Sequence, residues 1–330
     1  MNALDLDVLE HARAWLHEGH RVHLVTVVQT WGSAPRQAGA LVALRSDGRI
    51  AGSVSGGCVE DDLIDRARQG LLAQAPERIT YGVTRDEASR FGLPCGGTLR
   101  LIAEPLTDTG WIDAVLDHIQ AHRVVLRTLD LVTGEASLRP ALPTDGPDFD
   151  GRIFRAVYGP RWRLLLIGAN QTAQVLAGIA QTLDFQVLVC DPREEVTASW
   201  QVPGTTLITE MPDDTVLAIG TDERTAIVAV THDPKLDDMA LLEALKSPAF
   251  YVGALGSRAN QAKRRERLRL FDLTDEQIDR LHGPVGLPIA SRTPAEIAVA
   301  IAAELVWVRN TLGAQETAAC PVPARTTPAA

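Results

Sequence analysis

The sequence predicts an α/β protein of two domains: a carboxyl-terminal domain built on a parallel sheet and a smaller α+β domain before it. Three observations support this. A chain of 330 residues is longer than one ordinary core requires. Short apolar runs alternate regularly with helical patterns only after residue 160. Residues 140–151 (PALPTDGPDFDG) interrupt all periodicity with three prolines, two glycines and three aspartates, which is typical of a connection between domains.

Residues 1–140 form the predicted amino-terminal domain and 141–160 the linker. The opening MNALDLDVLEHARAWLHEGH predicts an amphipathic helix, not a signal peptide. Strands are predicted at 22–28, 41–44, 99–103 and 124–129, with helices after Cys58 and at 111–120. The loop QTWGSAPRQAG separates the first two strands.

Residues 161–312 form the predicted carboxyl-terminal domain. Its strands are RLLLI, QVLVC, TAIVAV and FYVG, and apolar strands alternate with helical patterns, so its units are βαβ and its sheet is parallel. The final helix begins with a capping box, since Thr293 is the cap, Pro294 the first helical residue and Glu296 the third. Residues 313–330 have no periodic apolar face and are predicted to be a disordered tail.

Composition excludes several classes of protein. A net charge of −10 argues against nucleic acid as the main partner. The sequence contains no run of about 20 uncharged apolar residues, so it predicts no membrane span. The four cysteines contain no CxxC pair and are too sparse for a disulfide scaffold, so a reducing cytoplasm fits best.

The turn after the first carboxyl-terminal strand has the frame of a dinucleotide-binding loop, G-x-G-x-x-G/A. Gly168 and Ala173 fill its first and last places, and Asp191 ends the next strand, where such folds place an acid. Asn170 replaces the middle glycine, which lets the backbone approach a phosphate closely. The pattern predicts a Rossmann-like fold and disfavours NAD(P) as a hydride carrier. The turn is then either structural or binds another phosphate-bearing ligand.

Two cysteines lie beside paired glycines, in SVSGGCVEDDL and GLPCGGTL. Cys58 precedes a predicted helix, whose amino terminus favours a thiolate, although the acids at 60–62 oppose this. Glycine pairs let backbone approach a ligand, so Cys58 and Cys95 are the candidate nucleophiles or ligands. The alternative is that both are core residues, since free cysteine is among the most buried residue types.

Two further polar sequences follow strands. THD (Thr231–Asp233) follows TAIVAV, and GALGSR (Gly253–Arg258) ends FYVG, so both lie at the carboxyl ends of parallel strands, where ligands bind in open α/β sheets. Ser257 and Arg258 before a helix suit an anion. His232 is either a packed histidine or a functional one. The run KRRER (Lys263–Arg267) is predicted to be a solvated helix face.

Together these segments resemble the XdhC/CoxI family, accessory proteins that mature molybdenum hydroxylases such as xanthine dehydrogenase. The resemblance runs from about residue 20 to about residue 310. The family usually has Gly-Ala-Gly-His in its turn, where this chain has Asn170 and Gln171 in the last two places. The motifs are TWGSAPRQAGALVAL, DGRIAGSVSGGCVE and GLPCGGTLRLIAEP in the first domain, and GANQTAQVLA, VCDPRE, THDPKLD, YVGALGSR and GLPIASRTPAEIAVAIAAEL in the second.

The resemblance implies a maturation factor without turnover, which binds molybdenum cofactor as cargo, protects it while a sulfido ligand is installed, and delivers it. The implied partners are the apo-subunit of a xanthine dehydrogenase-like hydroxylase and a cysteine desulfurase. Such a cargo needs soft groups at the metal and an anion nest at its phosphate.

On these motifs Cys58 and Cys95 are the candidate contacts to molybdenum. The other candidate cofactor-binding residues are Ser33, Ser55, Gly56, Gly57, Glu60, Gly96, Gly97, Gly168, Asn170, Asp191, His232, Asp233, Gly256, Ser257 and Arg258.

Two rival functions remain open on the sequence alone. One is an NAD(P)-dependent oxidoreductase built on the Rossmann-like domain. The other is a thiol enzyme in which Cys58 or Cys95 carries persulfide sulfur to molybdenum. A homodimer is a further hypothesis. The sequence leaves open which molybdoenzyme is served, and whether the cargo is molybdopterin or its cytosine-dinucleotide form.

Overall fold

The computed structural model describes residues 3–30, 36–82, 98–142 and 145–312, and of Ala3 and Cys58 the backbone alone. Contacts within the chain divide it into two compact units, Met1–Pro160 and Arg161–Ala330. The first is an α+β unit with antiparallel sheets and the second contains a six-stranded parallel sheet, so the predicted fold class is confirmed. The predicted tail at 313–330 lies outside the described residues.

The first unit is built on a five-stranded antiparallel sheet in the order β3-β2-β1-β5-β4. Strand β1 is central and pairs with β2 from Val22↔Arg45 to Thr26↔Leu41, and with β5 from Val22↔Leu106 to Thr30↔Leu99. The elements are α1 (Ala3–His17), β1 (Val22–Thr30), β2 (Leu41–Arg45), β3 (Ile50–Gly52), α2 (Cys58–Gln69), β4 (Glu77–Tyr81), β5 (Leu99–Leu106) and α3 (Gly110–Gln120).

Each face of this sheet packs against a helix, because successive side chains of a strand point to opposite faces. Leu24 points toward α1, where Val8 and Leu9 are fully buried. Val25 points the other way, toward Val59 and Leu63 of α2. The apolar side of α2 thereby packs on the sheet. The amino terminus of α2 follows the end of β3 after a five-residue loop.

A second antiparallel sheet follows, in the order β7-β6-β9-β8. Its strands are β6 (Val125–Asp130), β7 (Ala136–Pro140), β8 (Asp148–Phe149) and β9 (Ile153–Tyr158). The prediction that 141–160 is a linker is therefore wrong, because this segment contains two strands of the sheet. Strand β9 pairs with β6 from Val125↔Tyr158 to Asp130↔Ile153. The sequence IFRAVY has the period-two burial of a strand, with Phe154, Ala156 and Tyr158 inward, which the neighbouring prolines and glycines concealed.

The second unit has a parallel sheet in the order β12-β11-β10-β13-β14-β15, the doubly wound order of dinucleotide-binding folds. The strand order reverses between β10 and β13, which makes their carboxyl ends the topological switch point. The elements are β10 (Arg163–Ile167), α4 (Gln171–Thr182), β11 (Gln186–Cys190), α5 (Glu194–Thr197), β12 (Thr206–Ile208), α6 (Pro212–Ala218), β13 (Thr225–Ala229), α7 (Pro234–Ala244), β14 (Tyr251–Ala254), α8 (Arg258–Leu268), α9 (Asp275–Asp279), β15 (Leu281–His282) and α10 (Pro294–Thr311).

Helices cover both faces of this sheet, as its continuous apolar strands predict. Leu164 and Leu166 pack on the α4 and α10 side, and Leu165 and Ile167 on the α7 side. The capping box at Thr293 is confirmed, since its hydroxyl accepts from the Glu296 amide. In the described ranges no helix has the length and apolarity to cross a membrane.

Candidate functional site

The loop Ser53–Gly57, here called the SVSGG loop, connects β3 to α2 and wraps around one carboxylate. Glu60 in the first turn of α2 is only 5% exposed. Both its oxygens accept hydrogen bonds from the loop, which therefore curves with its amides inward. The donors to Oε1 are Ser53 Oγ (2.6 Å) and the amides of Val54 (2.8 Å), Ser55 (2.7 Å) and Gly56 (3.0 Å); those to Oε2 are the Gly57 amide (2.9 Å) and Ser55 Oγ.

This arrangement has a strong effect on Glu60. Burial alone would raise the pKa of its carboxyl group, but the hydrogen bonds from Ser53, Ser55 and Gly56 outweigh burial and lower the pKa to about 2. Glu60 is therefore an anion throughout the physiological range, and the loop is organised around a fixed negative charge.

Local sequence explains why the loop can close so tightly. Gly56 has φ of 86°, a left-handed conformation that suits glycine. The chain then enters α2 directly, with Cys58 as its first residue. Glu60, at the third helical position, accepts from the Gly57 amide, as the acid of a capping box does. Cys58 thus lies at the amino terminus of α2, and Glu60 of the same helix fixes the preceding residue, Gly57, by a hydrogen bond.

The segment 83–97, which carries Cys95, Gly96 and Gly97, lies outside the described residues. The strands before and after it, β4 and β5, pair with each other, and Tyr81 of β4 is opposite Leu99 of β5. The Tyr81 hydroxyl donates to Asp62 Oδ2 at 2.7 Å, and Asp62 lies one turn after Cys58. The end of β4 is therefore joined to α2, the helix that begins at Cys58.

Ser33 also falls in an undescribed segment, 31–35, with described flanks. Thr30 before it pairs with Leu99 at the end of β1. Arg36 after it donates from Nε to the carbonyl of Ser53 at 3.1 Å, at the start of the SVSGG loop. The flanks of three predicted site segments thus meet at one end of the five-stranded sheet. Sequence reasoning missed Arg36, Asp62 and Tyr81, which make these connections.

The second candidate region is the switch-point turn, Gly168–Asn170, between β10 and α4. Gly168 has φ of 112°, and an added Cβ would lie 2.9 Å from Thr231 Cα, so only glycine fits. Asn170 is the amino-terminal cap of α4: its Oδ1 accepts from the Ala173 amide at 3.0 Å, and its Nδ2 donates to the Val230 carbonyl. The side chain that replaces the usual glycine thus joins the two strands of the switch point.

Asp191, just after β11, is fully buried and already hydrogen-bonded within the protein. Its carboxylate accepts from the Ala169 amide at 2.9 Å and from Arg193 Nε and Nη2 at 2.9 and 2.8 Å. Burial would raise the pKa of Asp191, but the bonds from Arg193 and from the Ala169 amide keep it below its usual value. Sequence reasoning missed Arg193; a basic residue two positions after the acid was the available signal.

The strand-end residues divide into exposed and structural ones. His232 is exposed and has φ of 65°, which is unusual for a residue other than glycine. Asp233 caps α7 by accepting from the Lys235 amide at 2.9 Å. Ser257 caps α8, and Arg258 is exposed at its first position, with Gly256 preceding them at φ of 141°. Arg258 is therefore an exposed cation at this edge of the sheet.

The prediction that KRRER is a solvated face is wrong for Arg264, which is 5% exposed. Its Nη2 lies 2.8 Å from Asp237 Oδ2, and Asp237 in turn accepts from the Thr231 hydroxyl at 2.7 Å. Removing either the buried carboxylate of Asp237 or the buried guanidinium of Arg264 would leave the other as an unpaired buried charge, which is strongly destabilising. This network supports the backbone at Thr231 from inside the second unit.

Cys190 shows what a structural cysteine looks like in this protein. It is fully buried at the end of β11, and its sulfur lies 3.3 Å from Thr215 Oγ1. Burial raises the pKa of its thiol to about 11, so it is not a thiolate near neutrality. Among the described side chains, no three His, Cys, Asp or Glu residues are grouped as metal ligands.

Comparison with known proteins adds to this geometry. The chain matches the model of the XdhC and CoxI family over residues 15–82 and that of the XdhC Rossmann domain over 164–305. It is 28% identical over 305 residues to the molybdenum cofactor insertion chaperone PaoD of Escherichia coli K12, covering 92% of this chain and 88% of that protein. It is also 28% identical over 323 residues to a probable xanthine dehydrogenase subunit of Bacillus subtilis 168, covering 90% of this chain and 96% of that protein.

A solved structure described as a xanthine dehydrogenase of Bacillus halodurans has the same fold, with a TM-score of 0.72 and 24% identity over 96% of this chain and 98% of that one. The two family matches correspond to the two units, one to the sheet that carries the SVSGG loop and one to the parallel sheet. The chain belongs to the XdhC and CoxI family, and its carboxyl-terminal half is an XdhC Rossmann domain.

Proposed function

We propose that this protein binds molybdenum cofactor as cargo, protects it while the sulfido ligand is installed, and delivers it to the apo-form of a xanthine dehydrogenase-type hydroxylase. Its partners would be that hydroxylase and a cysteine desulfurase, and its compartment the cytoplasm. One relative that supports the proposal is the molybdenum cofactor insertion chaperone of Escherichia coli K12, which is similar over 92% of this chain.

The observation that carries the proposal is the position of Cys58 at the amino terminus of α2, directly after the SVSGG loop. Glu60 of the same helix fixes that loop by accepting hydrogen bonds from it. A molybdenum–dithiolene centre favours a soft sulfur contact, and glycine neighbours leave room for a large ligand. Strand β4, which precedes the Cys95 segment in the chain, contacts α2 through the hydrogen bond from Tyr81 to Asp62. One cargo could therefore meet both cysteines within the first unit.

The inward amides of the SVSGG loop do not serve as phosphate donors, because they already bind Glu60. In the second unit, the exposed Arg258 at the first position of α8, with Ser257 as the cap, has the chemistry to hold a phosphate. This pair is the candidate anion contact of that unit.

A dinucleotide-dependent oxidoreductase is less well supported. In such folds a free acid after the second strand binds the ribose hydroxyls. Here Asp191 is buried and bound to Arg193 and to the Ala169 amide, so its lone pairs are in use. The thiol-enzyme alternative differs from the favoured function only in whether a cysteine carries sulfur covalently.

The test begins with the full chain purified from a host that makes molybdenum cofactor. We expect molybdenum and pterin in equal amounts, and we expect the loaded protein to activate an apo-hydroxylase. Protein from a cofactor-deficient host is the control. Finding a tightly bound dinucleotide in place of molybdenum and pterin would contradict the proposal. Mass spectrometry after incubation with a desulfurase and cysteine separates the alternatives: one added sulfur on Cys58 or Cys95 would identify a persulfide relay.

A further inference from the structure

The sequence makes Glu60 a candidate cofactor ligand, but its surroundings assign it another role. Six hydrogen bonds from the SVSGG loop reach its two carboxylate oxygens. A carboxylate offers about four lone-pair positions, so these donors saturate it. At 5% exposure it also presents almost no surface to a ligand. Glu60 therefore has neither the free oxygen nor the access that contact with cargo requires.

The loop amides have the form of an anion-binding nest. Four consecutive amides, from Val54 to Gly57, point at one carboxylate over 2.7–3.0 Å. Such concave amide arrays commonly bind phosphate or other anions from solution. Here the anion belongs to the protein and is attached three residues beyond the loop, so a free phosphate would have to displace it. Bonds to an ionised acceptor are roughly twice as strong as neutral ones, which makes the loop rigid.

We propose that Glu60 is a positioning residue: its carboxylate occupies the nest as an internal anion, fixes the SVSGG loop, and thereby sets where α2 begins and where Cys58 lies. This role rests on the proposed function for what Cys58 does, but its geometric part is independent of it. The cargo's phosphate is consequently excluded from this nest.

The test compares two variants of the full chain that lose the same charge from the same helical turn. Glu60→Gln keeps the shape of the side chain but removes its charge. It also replaces one acceptor oxygen by an NH2 group, which is a donor and cannot accept hydrogen bonds from the loop amides. Asp61→Asn is the matched control, because Asp61 is exposed and adjacent. Hydrogen exchange, read at the amides of residues 54–57, reports the loop directly, and molybdenum content after purification from a cofactor-producing host reports its consequence.

We expect Glu60→Gln to speed exchange of these amides by roughly tenfold or more, as loss of a charge-assisted hydrogen bond predicts, and to retain less molybdenum than wild type. Asp61→Asn should change neither. Unchanged exchange in Glu60→Gln would overturn the proposal, and so would fast exchange with wild-type molybdenum content. If wild type itself holds no molybdenum, the proposed function fails while the exchange result still decides whether Glu60 fixes the loop.

A second variant keeps the test valid if Glu60→Gln is poorly folded. Glu60→Ala leaves the nest empty, and a small carboxylate can then enter it. We expect acetate to slow the exchange of the 54–57 amides in Glu60→Ala while leaving wild type unaffected, because wild type already carries its own anion. A residue that acted only by packing would not be rescued by a free carboxylate. Absence of rescue in folded Glu60→Ala would contradict the internal-anion role.

Discussion

Two glycine-containing turns in the described part of the chain, the SVSGG loop and the switch-point turn, lead from a strand into a helix and are closed differently. The SVSGG loop before α2 surrounds the carboxylate of Glu60, a charged acceptor from the following helix. The switch-point turn before α4 is closed by Asn170, a neutral cap that bonds Ala173 and Val230, and by Asp191 from the neighbouring strand. Of these two turns, the first alone is followed immediately by a cysteine. Glycines next to a helix therefore do not by themselves make a phosphate site, because side chains of the protein can bind the amides first.

The largest expected difference between the turns is in stability. Glu60→Ala removes a charged acceptor from several inward-pointing amides, and we expect it to lower the free energy of unfolding by about 3 kcal/mol. Denaturant unfolding of wild type, Glu60→Ala and the exposed control Asp61→Ala measures this. Equal losses for the two variants would mean that the loop draws no special stability from Glu60.

Acidification should remove the same stabilisation. The pKa of Glu60 is lowered to about 2 in the folded protein, against about 4.3 for a free glutamate. A depressed carboxyl pKa contributes stability that is complete above the unfolded pKa and lost as pH falls toward the folded one. The stability gap between wild type and Glu60→Gln should therefore be constant from pH 7 to about 5 and shrink between about 5 and 2. A gap that does not change with pH would show that charge is not the cause.

The neutral turn should respond less. Asn170→Ala loses one helix cap and one bond to Val230, for which we expect a cost of about 1–2 kcal/mol. Asn170→Gly should cost less, since replacing a cap residue by glycine costs only a few tenths of a kcal/mol. Because Asn170 has φ of −88°, no left-handed strain separates the two variants. Denaturant unfolding of both variants measures these costs. A loss in Asn170→Ala as large as that in Glu60→Ala would remove the proposed distinction between the turns.

The smallest expected effect is on dinucleotide binding. Calorimetry with NADH should detect no tight binding, because Asp191 is bound to Arg193 and the Ala169 amide. Asn170→Gly restores the usual glycine but leaves Asp191 engaged, so it should not create binding either. Stoichiometric NADH binding by wild type would favour the oxidoreductase alternative.

Much of the fold follows from local patterns. The strands RLLLI, QVLVC and TAIVAV and the capping box at Thr293 depend on runs of neighbouring residues, and the structure confirms them. The strand Ile153–Tyr158 is harder to recognise, because prolines and glycines surround it and dominate the local pattern. Its pairing of Tyr158 with Val125 joins residues far apart in the chain, so no local signal indicates it.

The candidate site was harder to predict, since its contacts join distant parts of the chain. The sequence marks Glu60 as an acid near a cysteine, but only the folded loop shows that its oxygens are all occupied. The capping-box position of Glu60, three residues after Gly57, was a signal that could have indicated this. Nothing in the run KRRER distinguishes Arg264, whose burial depends on Asp237 in another helix.

The central claim is that cargo is held at the cysteine that follows the charge-fixed loop. The most direct measurement is the molybdenum content of the full chain purified from a cofactor-producing host, as wild type, Cys58→Ser and Cys190→Ala. Cys190 is buried and bonded to Thr215, so its variant controls for loss of a cysteine as such. We predict that Cys58→Ser loses most of its molybdenum while Cys190→Ala keeps the wild-type content. Wild-type molybdenum in folded Cys58→Ser would contradict the account.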